Sequence, residues 1–270
     1  LIRKSDGTSL YLTRELANLE YRIKKYRPKK ILYVVGNEQA LHFEQFFAIA
    51  KILRIRGVEL HHVKFGLVLG ENRERLRTRG GTAVPLEELL LKIIHHAKSV
   101  VSKKNPKLAE KKKKEIAEVV GIGALKYNDL KEHRHSDVLF DWKRMLDIRG
   151  DSASYLQYTY ARIQGIKRKV RLTGKADFSL LTHEIELGLI RKIANFAHVV
   201  EEAGKTLLTS NLARYLYESA VLLNKFYETI PVMKEENIAL RGARLILLDV
   251  AGGVLKRGLE LLGINVLGKI

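Results

Sequence analysis

Cysteine is absent from the 270 residues of this chain. Its absence excludes disulfide bonds, thiolate catalysis and cysteine-based zinc sites, and the lack of disulfides fits the cytosol. No apolar run approaches the roughly 18 to 20 residues of a membrane span, and the first residues lack the apolar core of a signal peptide. We therefore expect a cytoplasmic protein with no membrane partner. The chain begins with Leu rather than Met, which favours a fragment or a processed product.

Several catalytic motifs are missing as well. The sequence has no Gly-Lys-Ser/Thr of a phosphate-binding P-loop and no recognisable Ser-His-Asp arrangement. His61-His62 and His95-His96 are adjacent pairs, whose side chains point to different faces of a helix or strand. His133 and His135 would share a face in an extended segment, but no grouped carboxylates accompany them. We therefore expect no metal site.

What the chain has in excess is positive charge. Lysine and arginine number 49 against 30 acidic residues, which gives a net charge of +19 and a pI of about 9.9. Basic groups placed on phosphates release condensed counterions, so such an excess favours a polyanionic partner. The alternative is a charge that serves only solubility.

The first half of the chain has the pattern of a parallel α/β fold. Residues 13 to 26 place apolar groups on one helical face. The apolar run 31–35 predicts a buried strand, Asn37 is positioned to cap a helix that extends to about Arg56, and a second strand is predicted at 58–63. This strand–helix–strand order predicts a crossover between parallel strands.

Basic segments follow. Residues 64–83 have the composition of a mobile loop with four glycines and four arginines, and residues 85–120 are helical in pattern with an interruption near Asn105-Pro106. The lysine run 111–114 is typical of a solvated helix face, and direct contact with RNA is the alternative.

From Ser154 onward the strand signals end and apolar stripes of helical period continue. We predict an all-helical bundle of four to five helices with a boundary near Gly150, and hence two domains, 1–150 and 151–270. The stripes cover 156–170, 182–203, 208–227 and 239–262.

Polar side chains follow the strand that ends at Val35. In open parallel sheets, ligands bind beyond the carboxyl ends of the strands, and Gln39 and His42 are spaced to face that edge from one helical turn. The alternative is ordinary capping and a surface glutamine. Tyr11 and Glu15, four apart, could hold a guanidinium between a phenol and a carboxylate.

Two further segments carry candidate binding groups. The loop from Leu76 to Gly81 offers guanidinium groups and a hydroxyl for a triphosphate, or it is a plain basic surface loop. Tyrosines interleave with basic residues after 154, and tyrosines stack on unpaired bases while basic groups follow the phosphates. About half of these tyrosines are expected in the core. The interleaved residues are Tyr155, Tyr158 and Tyr160 with Arg162, Lys167, Arg168 and Lys169, and later in the chain Tyr215, Tyr217 and Tyr227.

Longer motifs carry a family resemblance. The runs that begin at Gly121, Asp141 and Gly150, the last ending in Tyr155-Leu-Gln-Tyr-Thr-Tyr-Ala-Arg162, resemble those of arginyl-tRNA synthetases, and the resemblance covers essentially the whole chain. It implies a partial Rossmann-like class I catalytic core followed by an all-α anticodon-binding bundle. It also implies ATP-dependent activation of L-arginine and its transfer to tRNA(Arg), with Mg²⁺ arriving on ATP, no tightly bound cofactor, and tRNA needed for the activation step.

The resemblance also implies residue roles. Tyr11, Glu15 and Gln39 would contact the substrate arginine. The ATP site would include His42, His62, Phe65, Gly66, Leu67 and Leu76. The degenerate form of the Lys-Met-Ser-Lys-Ser loop, Arg77, Thr78, Arg79 and Gly80, would embrace the triphosphate, and the tRNA would meet Tyr155, Tyr158, Arg162 and Tyr215.

Three positions depart from the family pattern. Glu15 stands where an Asp is usual and keeps the charge on a side chain one methylene longer. The loop lacks the catalytic lysine, as is common in this family. Thr209-Ser210 replace a frequent Pro-His pair.

The class I signature His-x-Gly-His does not occur in these residues, and the family's N-terminal tRNA-binding domain is missing too. Preorganised electrostatic groups supply much of such a rate enhancement, so we expect a fragment or split subunit that is inactive alone. A separate chain would then carry the other half. One alternative is a non-catalytic tRNA-binding module derived from a synthetase. Another is a different nucleotide-binding protein with the same sheet topology.

Overall fold

The computed structural model describes residues 3–70, 74, 84–170 and 174–270. They form two compact units. The first consists of the chain up to Leu67 together with Arg134–Asp137, and the second consists of Val68–His133 and Val138–Ile270. Within each unit, buried apolar side chains form cores of their own.

The first unit is a two-stranded parallel sheet with two helices. The strands pair in register from Lys30↔Glu59 to Gly36↔Phe65, which confirms the predicted parallel strand–helix–strand unit. Its elements are α1 (Tyr11–Tyr26), β1 (Lys30–Gly36), a 3₁₀ turn (Asn37–Gln39), α2 (Ala40–Ile52) and β2 (Glu59–Phe65).

Alternation along β1 separates a covered face from an open one. Tyr33 is buried with Leu19 of α1 and with Phe43 and Phe46 of α2. Side chains of Leu32 and Val34, which point to the opposite face, are 43% and 65% exposed. Parallel sheets are normally covered on both faces, so within the described residues this face lacks the cover that such a sheet usually has.

The start and end of α2 differ from the prediction. Asn37 does not cap the helix. It lies inside the 3₁₀ turn, where no side-chain cap is formed, and its amide donates to the carbonyl of His135 at 3.5 Å. The helix ends at Ile52 rather than near Arg56, because Arg54 and Gly57 adopt left-handed φ values of 56° and 79°, which a continuing helix excludes.

The second unit begins with a helical hairpin and a short parallel strand pair. The interruption predicted near Asn105-Pro106 is confirmed, since it separates the two hairpin helices. Gly121 lets their backbones approach, because a Cβ there would lie 3.1 Å from the Cα of Ile94. The elements are β3 (Val68–Leu69), α3 (Leu86–Lys104), α4 (Glu110–Leu130), β4 (Val138–Leu139) and α5 (Trp142–Met145).

Five helices follow in the described residues of this unit, within the predicted range of four to five. The stripe at 182–203 forms two helices rather than one, because Asn195 has ψ −6°, far from the helical value. The helices are α6 (Ala153–Lys169), α7 (Glu184–Ala194), α8 (Phe196–Thr206), α9 (Thr209–Thr229) and α10 (Ile238–Leu261), with a second 3₁₀ turn at Phe178–Leu180.

Tyr127 ties α4 to this bundle. Its ring is buried with the bundle core, and its hydroxyl donates to Asp151 Oδ1 at 2.7 Å, with the carbonyl oxygen of Ala213 also within 3.2 Å. Burial raises the pKa of the Tyr127 hydroxyl, which keeps the group a donor. Tyr127 therefore joins the end of α4 to the bundle core, while the hairpin keeps apolar clusters of its own. The domain boundary near Gly150 stays a prediction.

A buried ion pair in the bundle yields the first stability prediction. Glu186 is 0% exposed, accepts from Arg244 Nε at 2.6 Å and from the His183 amide at 3.0 Å, and Arg244 also pairs with Glu235. Glu186→Ala leaves the buried Arg244 guanidinium with only one of these two carboxylate partners. We therefore expect the free energy of unfolding, measured by urea titration, to fall by about 3 kcal/mol.

Lys205→Ala is the control for this experiment. Lys205 pairs with Glu201 at 2.7 Å on the exposed surface of α8, where an ion pair contributes little. We expect its urea midpoint to match that of the unaltered chain. Equal midpoints for Glu186→Ala and Lys205→Ala would contradict the importance of the buried pair.

Candidate functional site

The carboxyl ends of β1 and β2 lie at one edge of the first unit. Gly36 and Phe65 are the last paired residues of the two parallel strands. The 3₁₀ turn and α2 begin directly after Gly36. This edge is where ligands bind in open parallel sheets.

Tyr11 and His42 meet near this edge. Their ring centroids are 5.0 Å apart, and Tyr11 remains 61% exposed. The His42 ring also lies on Phe43, at 5.3 Å between centroids. Its Nε2 is buried and has no hydrogen-bond partner among the described residues. A buried polar atom without a partner costs free energy, and a ligand at this edge could supply the missing hydrogen bond.

Glu15 and Gln39 lie on the flanking elements. Glu15 is half-buried on α1, one turn after Tyr11. It is close enough to Tyr33 to reinforce the rise in that hydroxyl's pKa, whose largest cause is burial. Gln39 is exposed at the end of the 3₁₀ turn. The arginine-binding roles of Tyr11, Glu15 and Gln39 stay predictions.

His62 and Phe65 have different environments on β2. The His62 ring packs on Phe43 at 4.3 Å between centroids, and its Nε2 lies 2.9 Å from the carbonyl oxygen of Val35. This side chain therefore joins β2 to β1 and α2. These contacts account for the orientation of the His62 ring without any ligand. Phe65 is exposed, which leaves its ring open to a planar group.

Gly66 and Leu67 are held by the segment Arg134–Asp137. The Gly66 amide donates to the carbonyl of Arg134 at 2.9 Å, and the Leu67 amide donates to Asp137 Oδ1 at 2.7 Å. A Cβ on Gly66 would lie 2.3 Å from the carbonyl oxygen of Ser136. The glycine is therefore required by close backbone approach, and both amides are already used within the protein.

The predicted triphosphate loop lies outside the described residues. Leu76, Arg77, Thr78, Arg79 and Gly80 all belong to the part of the chain that the structure does not describe. Their roles stay predictions.

In the second unit, three of the four predicted tRNA residues line one groove. Tyr155, Tyr158 and Arg162 of α6 border it together with Asn224 and Lys225 of α9, and its volume is about 450 Å³. The Arg162 guanidinium lies 5.1 Å from the ring centre of Tyr158, which is 38% exposed. An exposed ring beside a guanidinium can stack a base and hold its phosphate.

Asn224 organises this groove, although it was not among the site residues predicted from the sequence. Its side-chain amide donates to the Tyr155 hydroxyl at 2.9 Å and to Thr159 Oγ1 at 2.8 Å. Its oxygen accepts from Arg162 at 2.8 Å. Burial raises the pKa of the Tyr155 hydroxyl, so that group stays protonated. The sequence did hold one signal for this role, because Asn224 is a polar residue within the apolar stripe that forms α9.

Tyr215 lies in the core and does not join the groove. It is 4% exposed, its hydroxyl donates to the carbonyl of Lys192 at 2.6 Å, and Phe196 packs at 5.9 Å between ring centroids. No ring face remains for a base. We therefore remove Tyr215 from the predicted tRNA-binding set. Its buried side chain instead packs α9 against α7 and α8.

The described part of the chain holds neither a cluster of metal ligands nor a helix that could span a membrane. No group of three or more histidine, cysteine, aspartate or glutamate residues there is placed to hold a metal ion. Among the helices of the described ranges, none combines the length and apolar character that crossing a membrane requires.

Two family models match the chain in succession. Residues 1–142 match "tRNA synthetases class I (R), catalytic domain", and residues 156–270 match "DALR anticodon binding domain". The fold is therefore that of a class I aminoacyl-tRNA synthetase core followed by an anticodon-binding helical domain, as predicted.

Similar proteins of known name indicate which kind of class I synthetase this is. The arginine–tRNA ligase of Chloroflexus aurantiacus is 39% identical over 270 residues, with 98% of this chain and 47% of that protein covered. The corresponding ligase of Clostridium beijerinckii is 42% identical over 275 residues, with 100% and 48% covered. The chain belongs to the arginyl-tRNA synthetase family, and it spans about half the length of these relatives.

Solved structures agree with this assignment. The arginyl-tRNA synthetase of Plasmodium falciparum superposes with a TM-score of 0.85 at 28% identity, covering 100% of this chain and 46% of that one. The Thermus thermophilus enzyme gives a TM-score of 0.83 at 25% identity, covering 100% and 50%.

The contact at Gly66 generates a matched pair of variants. Gly66→Ala places a methyl group against the Ser136 backbone, so we expect a loss of about 2 kcal/mol in the free energy of unfolding. Gly36→Ala at the end of β1 meets only Phe65 at 3.9 Å and is expected to be nearly neutral. Urea unfolding of both variants measures the difference. A Gly66→Ala protein as stable as Gly36→Ala would show that the segment does not constrain this glycine.

Proposed function

We propose that this chain takes part in ligating L-arginine to tRNA(Arg) with ATP, and that its helical unit binds the tRNA. The observation that carries the proposal is the groove of Tyr155, Tyr158 and Arg162. It combines stacking rings, a guanidinium and an amide network on a chain whose net charge is +19. The family membership supports the same activity.

In this proposal the first unit supplies one wall of the arginine and ATP site. Tyr11, Glu15 and Gln39 contact arginine, and His42 contacts ATP through its unpartnered Nε2. His62 acts as a positioning residue for α2. Phe65, Gly66, Leu67 and Leu76 border the adenine, and the loop Arg77, Thr78, Arg79 and Gly80 embraces the triphosphate with its Mg²⁺. The reaction takes place in the cytoplasm.

The open face of the β1–β2 sheet supports a further part of the proposal. Leu32 and Val34 are exposed on a parallel sheet, which is normally covered on both faces. We propose that strands carrying the His-x-Gly-His signature cover them, supplied by a separate chain or by the same polypeptide. The transition-state groups that the described first unit lacks would come from there.

The tRNA-binding proposal predicts the effect of Arg162→Ala. Loss of the guanidinium removes a phosphate contact and a neighbour of the Tyr158 ring, so we expect tRNA(Arg) affinity in filter binding to fall roughly tenfold. The slope of log affinity against log salt should also decrease by about one.

Arg257→Ala is the matched control, because it removes the same charge from an exposed position on α10. We expect wild-type affinity from this variant. Equal losses for both variants would mean that net charge alone attracts the tRNA, and the groove would then lose its assigned role.

The substrate proposal predicts the effect of His42→Phe. An aromatic ring is kept and the unpartnered nitrogen is removed, so stability should be unchanged or slightly higher. Arginine-dependent ATP–pyrophosphate exchange with tRNA present, measured on enzyme that includes the His-x-Gly-His strands, should fall at least tenfold. Unchanged exchange would exclude His42 from the ATP site.

The same assay separates the enzyme from a non-catalytic tRNA-binding module. We expect no exchange from the 270-residue chain alone and full exchange once the His-x-Gly-His strands are present. Failure to exchange in their presence, with tRNA binding intact, would favour the module.

A further inference from the structure

Residues 263–270, which we call the tail, lie beyond the end of α10 and contact both the bundle and the hairpin of α3 and α4. Ile264 is buried in the bundle core, and Val266 packs against the same core. Leu267 and Ile270 pack instead against an apolar cluster that the two hairpin helices form. The tail therefore joins the bundle to the hairpin.

Gln157 of α6 lies where α4, α6 and the tail meet. It is 0% exposed, and its side-chain amide donates to the carbonyl of Val119 on α4 at 3.2 Å and to the carbonyl of Asn265 in the tail at 2.8 Å. Both neighbours are acceptors, so this position requires a side chain with two hydrogens to donate. A primary amide supplies them without burying a charge.

Gly123 of α4 leaves the room that this amide occupies. A Cβ at position 123 would lie 2.7 Å from Gln157 Nε2 and 3.2 Å from Ile264 Cγ2. An alanine there would push the amide away from its two carbonyl acceptors, while α4 itself gains helix propensity. Gly123 and Gln157 therefore form one contact, which a change at either residue disrupts.

This contact connects the helix of the tRNA groove to a hairpin that follows a predicted catalytic segment. Gln157 immediately precedes Tyr158, which lines the groove. The hairpin lies within the part of the chain that matches the synthetase catalytic domain, and its first helix follows the predicted triphosphate loop, residues 77–80, in the chain. A shift of the hairpin relative to α6 would therefore move the point at which that loop is attached.

We propose that Gln157 is a positioning residue, which fixes the hairpin against α6 in the arrangement that arginine activation needs. The proposal rests on the proposed function and adds the contact through which the helical bundle acts on the catalytic part of the chain. Gln157 is fully buried and contacts no substrate in this role. Its loss affects the reaction rate rather than tRNA affinity, because a small misplacement of groups around the reacting atoms slows the chemistry while the groove keeps its own side chains.

The test measures tRNA(Arg) binding and arginine-dependent ATP–pyrophosphate exchange separately, on enzyme that includes the His-x-Gly-His strands. Gly123→Ala should leave tRNA(Arg) affinity in filter binding unchanged and lower the kcat of exchange at saturating tRNA by about tenfold. Gln157→Met keeps the length of the side chain, removes both donated hydrogens and should have the same two effects. The double variant should be no slower than the slower single variant, because both changes disrupt one contact.

Gly253→Ala on α10 is the matched control, because a Cβ there meets nothing within 4 Å, and it should keep both affinity and kcat. Gly123→Ala decides the outcome if Gln157→Met does not fold, since it adds one methyl group beside the end of a flexible side chain. Equal losses of affinity and kcat in Gly123→Ala would show a merely structural contact, and an unchanged kcat would show an idle one. Either result overturns the positioning role. Unaltered enzyme that neither binds tRNA(Arg) nor catalyses exchange would instead overturn the proposed function.

Discussion

The second unit depends on the burial of one face of α6. Leu156, Ile163 and Ile166 pack into the bundle core, and an α-helix repeats every 3.6 residues. Burying those positions directs Tyr158 and Arg162, one turn apart, to the outside, where they meet Asn224 from α9. It also directs Ser154 toward the hairpin side. The same packing that stabilises the bundle therefore places the side chains of the proposed tRNA groove.

The first unit is well packed on one face of its sheet and incompletely covered elsewhere. Its covered face is well packed around Tyr33, Phe43 and Phe46, but the edge beyond the strands holds a buried histidine nitrogen without a partner. The opposite sheet face exposes Leu32 and Val34. Both features cost free energy in the described residues, and both would be relieved by a ligand and by further strands. The unit has the physical character of one wall of a larger site.

Sequence patterns predicted the helices and strands better than they predicted the contacts between side chains. Hydrophobic period placed the parallel strands, the helical hairpin and the bundle helices, because burial of one face determines which residues recur. The capping prediction failed at Asn37, which lies inside a 3₁₀ turn. The continuous stripe at 182–203 failed at Asn195, where the backbone leaves the helical conformation. It also could not separate Tyr158 from Tyr215, since both belong to aromatic motifs and only the packing of α9 buries one of them.

The amino-acid sequence by itself determined the family, the order of an α/β core and a helical bundle, the strong positive charge and the lack of cysteine chemistry. These properties follow from composition, from periodicity and from motifs that are contiguous in the chain. Only the tertiary structure decided that His62 joins two strands and a helix, that Ser136 requires Gly66, and that Asn224 links Tyr155 to Arg162. Each of these relations joins residues between 19 and 70 positions apart, and such contacts are set by packing rather than by local sequence.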